Sequence, residues 1–174
     1  MSAGPRPRLT LVLGGARSGK SRYGEGLLAK SPAPWIYIAT AQALDGEMEV
    51  RIADHKRRRG ANWRTVEAPL DLCEAIVKFG EDGQPLLIDC LSLWLSNVLL
   101  SRKDVAAESE RVVAALGEVD GPVVLVSNEV GSGIVPDNKL ARAFRDAQGQ
   151  LNQRVAAIAD HVVLVVAGLP LTLK

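Results

Sequence analysis

The chain has 174 residues, enough for one domain with a well-buried core. Hydrophobic residues make up 47% of it, which excludes a disordered chain, and 21 Lys and Arg balance 20 Asp and Glu to a net charge of +1. That balance gives no global basic field, so nucleic acid is not an expected partner.

Residues 1–8 carry Pro5 and Pro7 and no apolar core; they are expected to form a loose tail rather than a secretion signal. The apolar run Leu9 to Leu13 predicts a strand, and it breaks into glycine. From there the chain reads Gly14, Gly15, Ala16, Arg17, Ser18, Gly19, Lys20, Ser21, the strand–loop–helix pattern that binds nucleotide phosphates. Gly14, Gly15 and Gly19 allow backbone angles that let several N–H groups point into one concavity. A helix opening at Lys20 adds its positive dipole end to that cradle. Lys20 is expected to reach the β- and γ-phosphates, Ser21 to hold Mg²⁺ through its hydroxyl, and Arg17 to add positive charge beside them.

A helix is predicted from Lys20 to Lys30, then a buried strand from Trp35 to Ala39. Thr40, Ala41 and Gln42 leave that strand at its carboxyl end, where open α/β sheets bind ligands. Glu47 to Arg59 reads as a helix with acid at its start and base at its end, stopped by Gly60. On such a helix Arg51, His55, Arg58 and Arg59 share a face. A solvated basic face accounts for this pattern; a bound triphosphate, neutralising the crowded cations, accounts for it too. The cations also lower the proton affinity of His55, which keeps the imidazole neutral as a nucleophile must be. A short strand follows from Trp63 to Glu67, whose carboxylate is placed to accept a hydrogen bond from a ribose or base.

Leu70 to Phe79 is a helix and Leu86 to Asp89 a buried strand ending in an acid. Asp89, downstream of a phosphate loop, suits a second Mg²⁺ partner; it also suits an N-cap for the apolar run from Leu91. The next residue is Cys90 rather than a water-positioning glutamate, which argues against a plain ATP-hydrolysing engine. Leu91 to Leu100 is too short to span a bilayer and is read as a buried helix. A helix from Val105 to Glu118, a strand from Val123 to Val126, a glycine-rich loop from Val130 to Asp137, a long helix from Asn138 to Asp160 and a strand from Val162 to Val166 complete the pattern. Cys73 and Cys90 have no metal or redox spacing and are expected as buried thiols in a reducing, cytoplasmic setting. Strands alternating with helices predict a single domain over 1–174: an α/β fold with a mostly parallel sheet between helices.

Several segments occur together in order: GGARSGKS at 14–21, YIATAQ at 37–42, RIADHK at 51–56, SNEVGSGIVPDN at 127–138, RDAQGQLNQRVA at 145–156 and the terminal VVLVVAGLP. Together they resemble the bifunctional adenosylcobinamide kinase / adenosylcobinamide-phosphate guanylyltransferase family of cobalamin nucleotide-loop assembly. The resemblance implies a P-loop NTPase of RecA-like, three-layer architecture that assembles as a homotrimer. It implies two reactions: ATP or GTP phosphorylates adenosylcobinamide, and GTP then gives GMP, through a histidine, to adenosylcobinamide phosphate with release of pyrophosphate. The guanylylated histidine falls on His55. Nucleotide contacts fall on Gly14 to Ser21, Thr40, Ala41, Gln42, Arg57, Arg58, Arg59, Gly60, Glu67 and Asp89. Where a member carries glutamate at this last position, Asp89 reaches one methylene less far. A small-molecule kinase without guanylyl transfer is the alternative reading. A GTP-dependent switch is disfavoured, because Asn138-Lys139-Leu140-Ala141 lacks the aspartate of a guanine-reading motif.

Overall fold

Five apolar runs and two edge strands form a seven-stranded sheet in the order β3-β2-β4-β5-β1-β6-β7. The computed structural model describes residues 7–42, 46, 57, 60–80 and 83–174. The elements are β1 (Leu9–Gly14), α1 (Lys20–Leu28), β2 (Trp35–Ala39), β3 (Trp63–Glu67), α2 (Leu72–Gly80), β4 (Leu86–Asp89), α3 (Leu91–Leu100), α4 (Val105–Glu118), β5 (Val123–Asn128), α5 (Lys139–Ile158), β6 (His161–Val166) and β7 (Leu169–Thr172). The predicted helix over 47–59 lies outside the described residues except for Arg57, which is helical, as is Gly46 just before it.

All neighbouring strands pair in parallel except β6 and β7, so the mostly parallel α/β sheet expected from the sequence is the one observed. The pleat sends alternate residues to two helix layers. Leu9, Leu11, Ile36, Ile38, Leu86, Ile88 and Leu125 pack against α2 to α5, while Val12, Leu87, Val124, Val126, Val163 and Val165 pack on the side of α1. Helix α1 comes close because Gly24 has no side chain: a Cβ there would sit 3.3 Å from Leu87 and Val124 and 3.4 Å from Val126.

Helix α3 is buried, as its apolar run predicts; Leu91, Trp94, Leu95 and Val98 are fully inaccessible, each contributing roughly 1.5–3 kcal/mol by burial. Asp104 caps α4 by accepting from the N–H groups of Ala106 and Ala107 at 2.9 and 3.1 Å. Asn138 caps α5 by accepting from Ala141 N–H at 2.8 Å, so the Asn-Lys pair starts a helix and does not read a base. Strand β7 was not anticipated. It returns antiparallel to β6 through a two-residue turn in which Ala167 and Gly168 both have positive φ, 51° and 79°. Pro170 is tolerated there because β7 is an edge strand.

Candidate nucleotide site

The carboxyl ends of the strands gather most of the residues singled out from the sequence. The register places Gly14 of β1 beside Asn128 of β5, Asp89 of β4 beside Val126 of β5 and Ala39 of β2, and Ala39 beside Glu67 of β3. Thr40, Ala41 and Gln42 follow directly from β2. Gly60 is elsewhere: its carbonyl accepts from Trp63 N–H at 3.2 Å, at the amino end of β3, on the opposite sheet edge from Glu67. Arg57 and Gly60 are both exposed, while His55, Arg58 and Arg59 lie outside the described residues.

The three loop glycines have different reasons to be there. Gly14 is required by close approach, since a Cβ would collide with Ser18 Oγ and lie 2.7 Å from the Val165 carbonyl. Gly19 is required by its left-handed backbone, φ 96°, at the N-cap of α1. Gly15 has open space around it and no positive φ; Arg17 takes a left-handed conformation instead, φ 55°. Lys20 Nζ donates to the Gly15 carbonyl at 2.9 Å, arching over the loop. Ser18 Oγ is buried with no hydrogen-bond partner among the described residues. A cradle of curled backbone with an orphaned hydroxyl, a lysine and a helix N-terminus fits a polyanion.

The turn between β6 and β7 completes the cradle. Gly168 N–H donates to the Ser18 carbonyl at 2.8 Å, and a Cβ on Gly19 would lie 3.3 Å from Gly168 Cα.

Asp89 is not the cap of α3. Cys90 occupies that position and makes no side-chain cap bond, while Asp89 Oδ2 accepts from the Tyr37 hydroxyl at 2.9 Å on the α1 side of the sheet. A clasp of hydrogen bonds fixes this corner. Thr40 Oγ1 donates to the Cys90 carbonyl at 2.7 Å and accepts from Cys90 N–H at 2.8 Å. Asn97 Nδ2 of α3 donates to the carbonyls of Thr40 and Pro69 at 2.9 and 3.0 Å, joining the exits of β2, β3 and β4. Burial pushes the Cys90 thiol up to about 12, with the Asp89 charge adding to the rise and the Lys20 charge opposing it. Cys90 is therefore an inert core thiol. Cys73 is not buried as expected: it is half-exposed on α2, with Sγ donating to the Arg111 carbonyl at 3.6 Å across the seam with α4.

Tyr37, Asn97 and Gly168 were not singled out as site residues. Asn97 left a signal, a polar side chain inside an otherwise apolar helix; Gly168 left none that spacing reveals.

This fold and this loop define a P-loop nucleotide-binding protein of the RecA-like α/β class. Two solved structures share the architecture: a prototypical ATPase of a type III secretion system (TM-score 0.56, 12% identity, covering 95% of this chain and 56% of that one) and the RadB recombinase (TM-score 0.53, 16% identity, 90% and 73%). The profile of the cobinamide kinase / cobinamide phosphate guanyltransferase family matches residues 10–173, and the chain belongs to that family. Its relatives include the bifunctional adenosylcobalamin biosynthesis proteins CobP of Pseudomonas aeruginosa, 50% identical over 166 residues (94% of this chain, 96% of the relative), and CobU of Salmonella typhimurium, 43% identical over 181 residues (95% and 99%). CobU of Escherichia coli is 40% identical, with the same coverage as its Salmonella counterpart.

Proposed function

We propose that this chain carries out both reactions of its family on adenosylcobinamide, with the loop Gly14 to Ser21 as the phosphate grip. The observation that carries this reading is the pairing of that loop with Asp89 across β5 at one sheet edge. In the kinase step the aminopropanol hydroxyl attacks the γ-phosphorus of ATP or GTP, loses its proton, and expels the nucleoside diphosphate. The protein's part is positioning and charge neutralisation, which the backbone cradle, Lys20 and Arg17 supply. Ser21 and Asp89 would hold Mg²⁺, which when bound would neutralise phosphate charge. Ala41, Gln42 and Glu67 would contact the ribose or base along the same edge, while Thr40, buried with its hydroxyl and carbonyl both engaged, would act only by holding that edge in place.

In the guanylyltransferase step an imidazole nitrogen of His55 attacks the α-phosphorus of GTP, pyrophosphate leaves, and the GMP passes to an oxygen of cobinamide phosphate. Imidazole suits such a two-stage displacement, and Arg57, Arg58, Arg59 and Gly60 extend the same segment. The test is labelling with α-³²P GTP and Mg²⁺. The wild type should retain an acid-labile, base-stable label that His55→Ala lacks; equal labelling, or none in either, defeats the histidine route and leaves a kinase without guanylyl transfer as the reading.

A homotrimer is supported by the outer face of the β6–β7 hairpin, where Val166, Leu169, Leu171 and Leu173 are 57%, 72%, 57% and 55% exposed in the single chain. A cytoplasmic setting accords with two free thiols. Among the described residues no helix is long and apolar enough to cross a membrane.

A further inference from the structure

A second polar cluster lies under the same edge, on the opposite face of the sheet from α1. Ser127 and Gln148 are fully buried and Asn152 is 7% exposed. Gln148 Nε2 donates to Ser127 Oγ at 2.9 Å and to Asn152 Oδ1 at 3.0 Å, and Ser127 Oγ donates to Asn152 Oδ1 at 2.7 Å. Asn152 Nδ2 then donates to the Asn128 carbonyl at 3.1 Å. In addition, Asn128 N–H donates to Ser92 Oγ of α3 at 2.8 Å, and Glu129 N–H donates to the Gly14 carbonyl at 3.1 Å. The end of β5 is thus held by α5, α3 and β1 at once.

Packing alone does not account for this chemistry. Gln148 and Asn152 lie one helical turn apart, on the α5 face that otherwise buries Leu151 and Val155. Aliphatic side chains would fill that space without desolvating two amides and a hydroxyl. The pairing is also incomplete, because Gln148 Oε1 has no partner among the described residues. What hydrogen bonds provide and aliphatic contacts do not is fixed geometry. The geometry being fixed is that of the strand adjoining Gly14. The pleat also turns Asn128 away from Ser127, to the face where Val124 and Val126 pack beside α1 and the phosphate loop begins.

We propose that Ser127, Gln148 and Asn152 are positioning residues for the phosphate loop: they lock the end of β5 so that Glu129 N–H holds the first glycine of the loop in place. This role rests on the loop binding nucleotide and adds a buried α5–β5 clamp to it. The test compares the wild type with Asn152→Leu, Gln148→Met and Ser127→Ala, well below their melting temperatures. Two readings are taken: affinity for a fluorescent β,γ-imido GTP analogue, and amide exchange at Asn128 and Glu129. Gln148→Met preserves volume while removing the bonds, and it carries the test if Asn152→Leu does not fold. The expected result is a native circular dichroism spectrum, affinity weakened roughly tenfold, and exchange at Asn128 and Glu129 accelerated by a similar factor with Val163 and Val165 unchanged. Affinity within about twofold of wild type, or weakened affinity without faster local exchange, overturns the proposal. A wild-type chain that binds no analogue overturns the loop reading and this one together.

Discussion

The Gly168 amide and the Ser18 carbonyl are hydrogen-bonded at 2.8 Å, which attaches the turn of an edge hairpin to the middle of the phosphate loop. Two segments about 150 positions apart in sequence therefore share one backbone contact. A β-branched residue at Gly168 would resist φ 79° at a cost of about 1–2 kcal/mol and push the turn off the loop. Gly168→Val should lower the melting temperature by about 2–8 °C and also weaken nucleotide binding. Thermal melts and a nucleotide titration check this, and an unaltered affinity would show that the contact does not support the loop.

Lys20→Ala should retain the fold, because its Nζ contact is with the Gly15 carbonyl at the surface of the loop. Cobinamide phosphorylation should fall by on the order of a hundredfold or more, as when a single charge-stabilising donor is removed from a transition state. Retained phosphorylation in an assay with γ-labelled GTP would mean the loop has been misread.

Thr40 is inaccessible, and its hydroxyl satisfies both backbone groups of Cys90. Thr40→Val keeps the shape and strands the buried Cys90 N–H, while the Cys90 carbonyl keeps its bond from Trp94 N–H at 3.2 Å. The expected loss is about 1–3 kcal/mol of folding stability, measured by urea denaturation. The Mg²⁺ concentration for half-maximal kinase activity should also rise, since Asp89 directly precedes the released peptide. A loss below about 0.5 kcal/mol would deny the clasp its role.

The hairpin face supplies a separate test. Leu164 pairs with Leu171 and Val166 with Leu169, so these side chains share one side of the sheet. Leu171→Glu should shift the mass seen by light scattering from trimer toward monomer. A monomeric wild type, or a trimer indifferent to this charge, would place any assembly on another surface.

The alternation of strands and helices was legible because a parallel sheet buried on both faces demands continuous apolar runs, and these stand out at Leu86 to Ile88 and Val123 to Val126. Helix α4 was readable because Val112, Val113 and Leu116 recur at helical spacing. The phosphate loop was readable because few residue types fit its backbone. Strand β7 was not, since each residue of LPLT is exposed and one is a proline; only its pairing with β6 makes it a strand. The Thr40–Cys90–Asn97 clasp was hidden for a different reason. It joins residues about 50 positions apart through backbone atoms, which carry no sequence identity. Asp89 illustrates the limit within a single residue: its type and placement allowed a metal role or a cap, and the second falls because Cys90 takes the N-cap position while Asp89 Oδ2 accepts from the Tyr37 hydroxyl.

Strand β5 lies between the strand that ends in Gly14 and the strand that ends in Asp89. Neighbouring strands are about 4.8 Å apart, so the loop and the acid are held roughly 10 Å from one another across the sheet. That is a gap for a phosphate and its counter-ion, and backbone pairing sets it independently of any side-chain rotamer. An extra residue bulging into β5 would leave every site residue intact and still change the width of that gap.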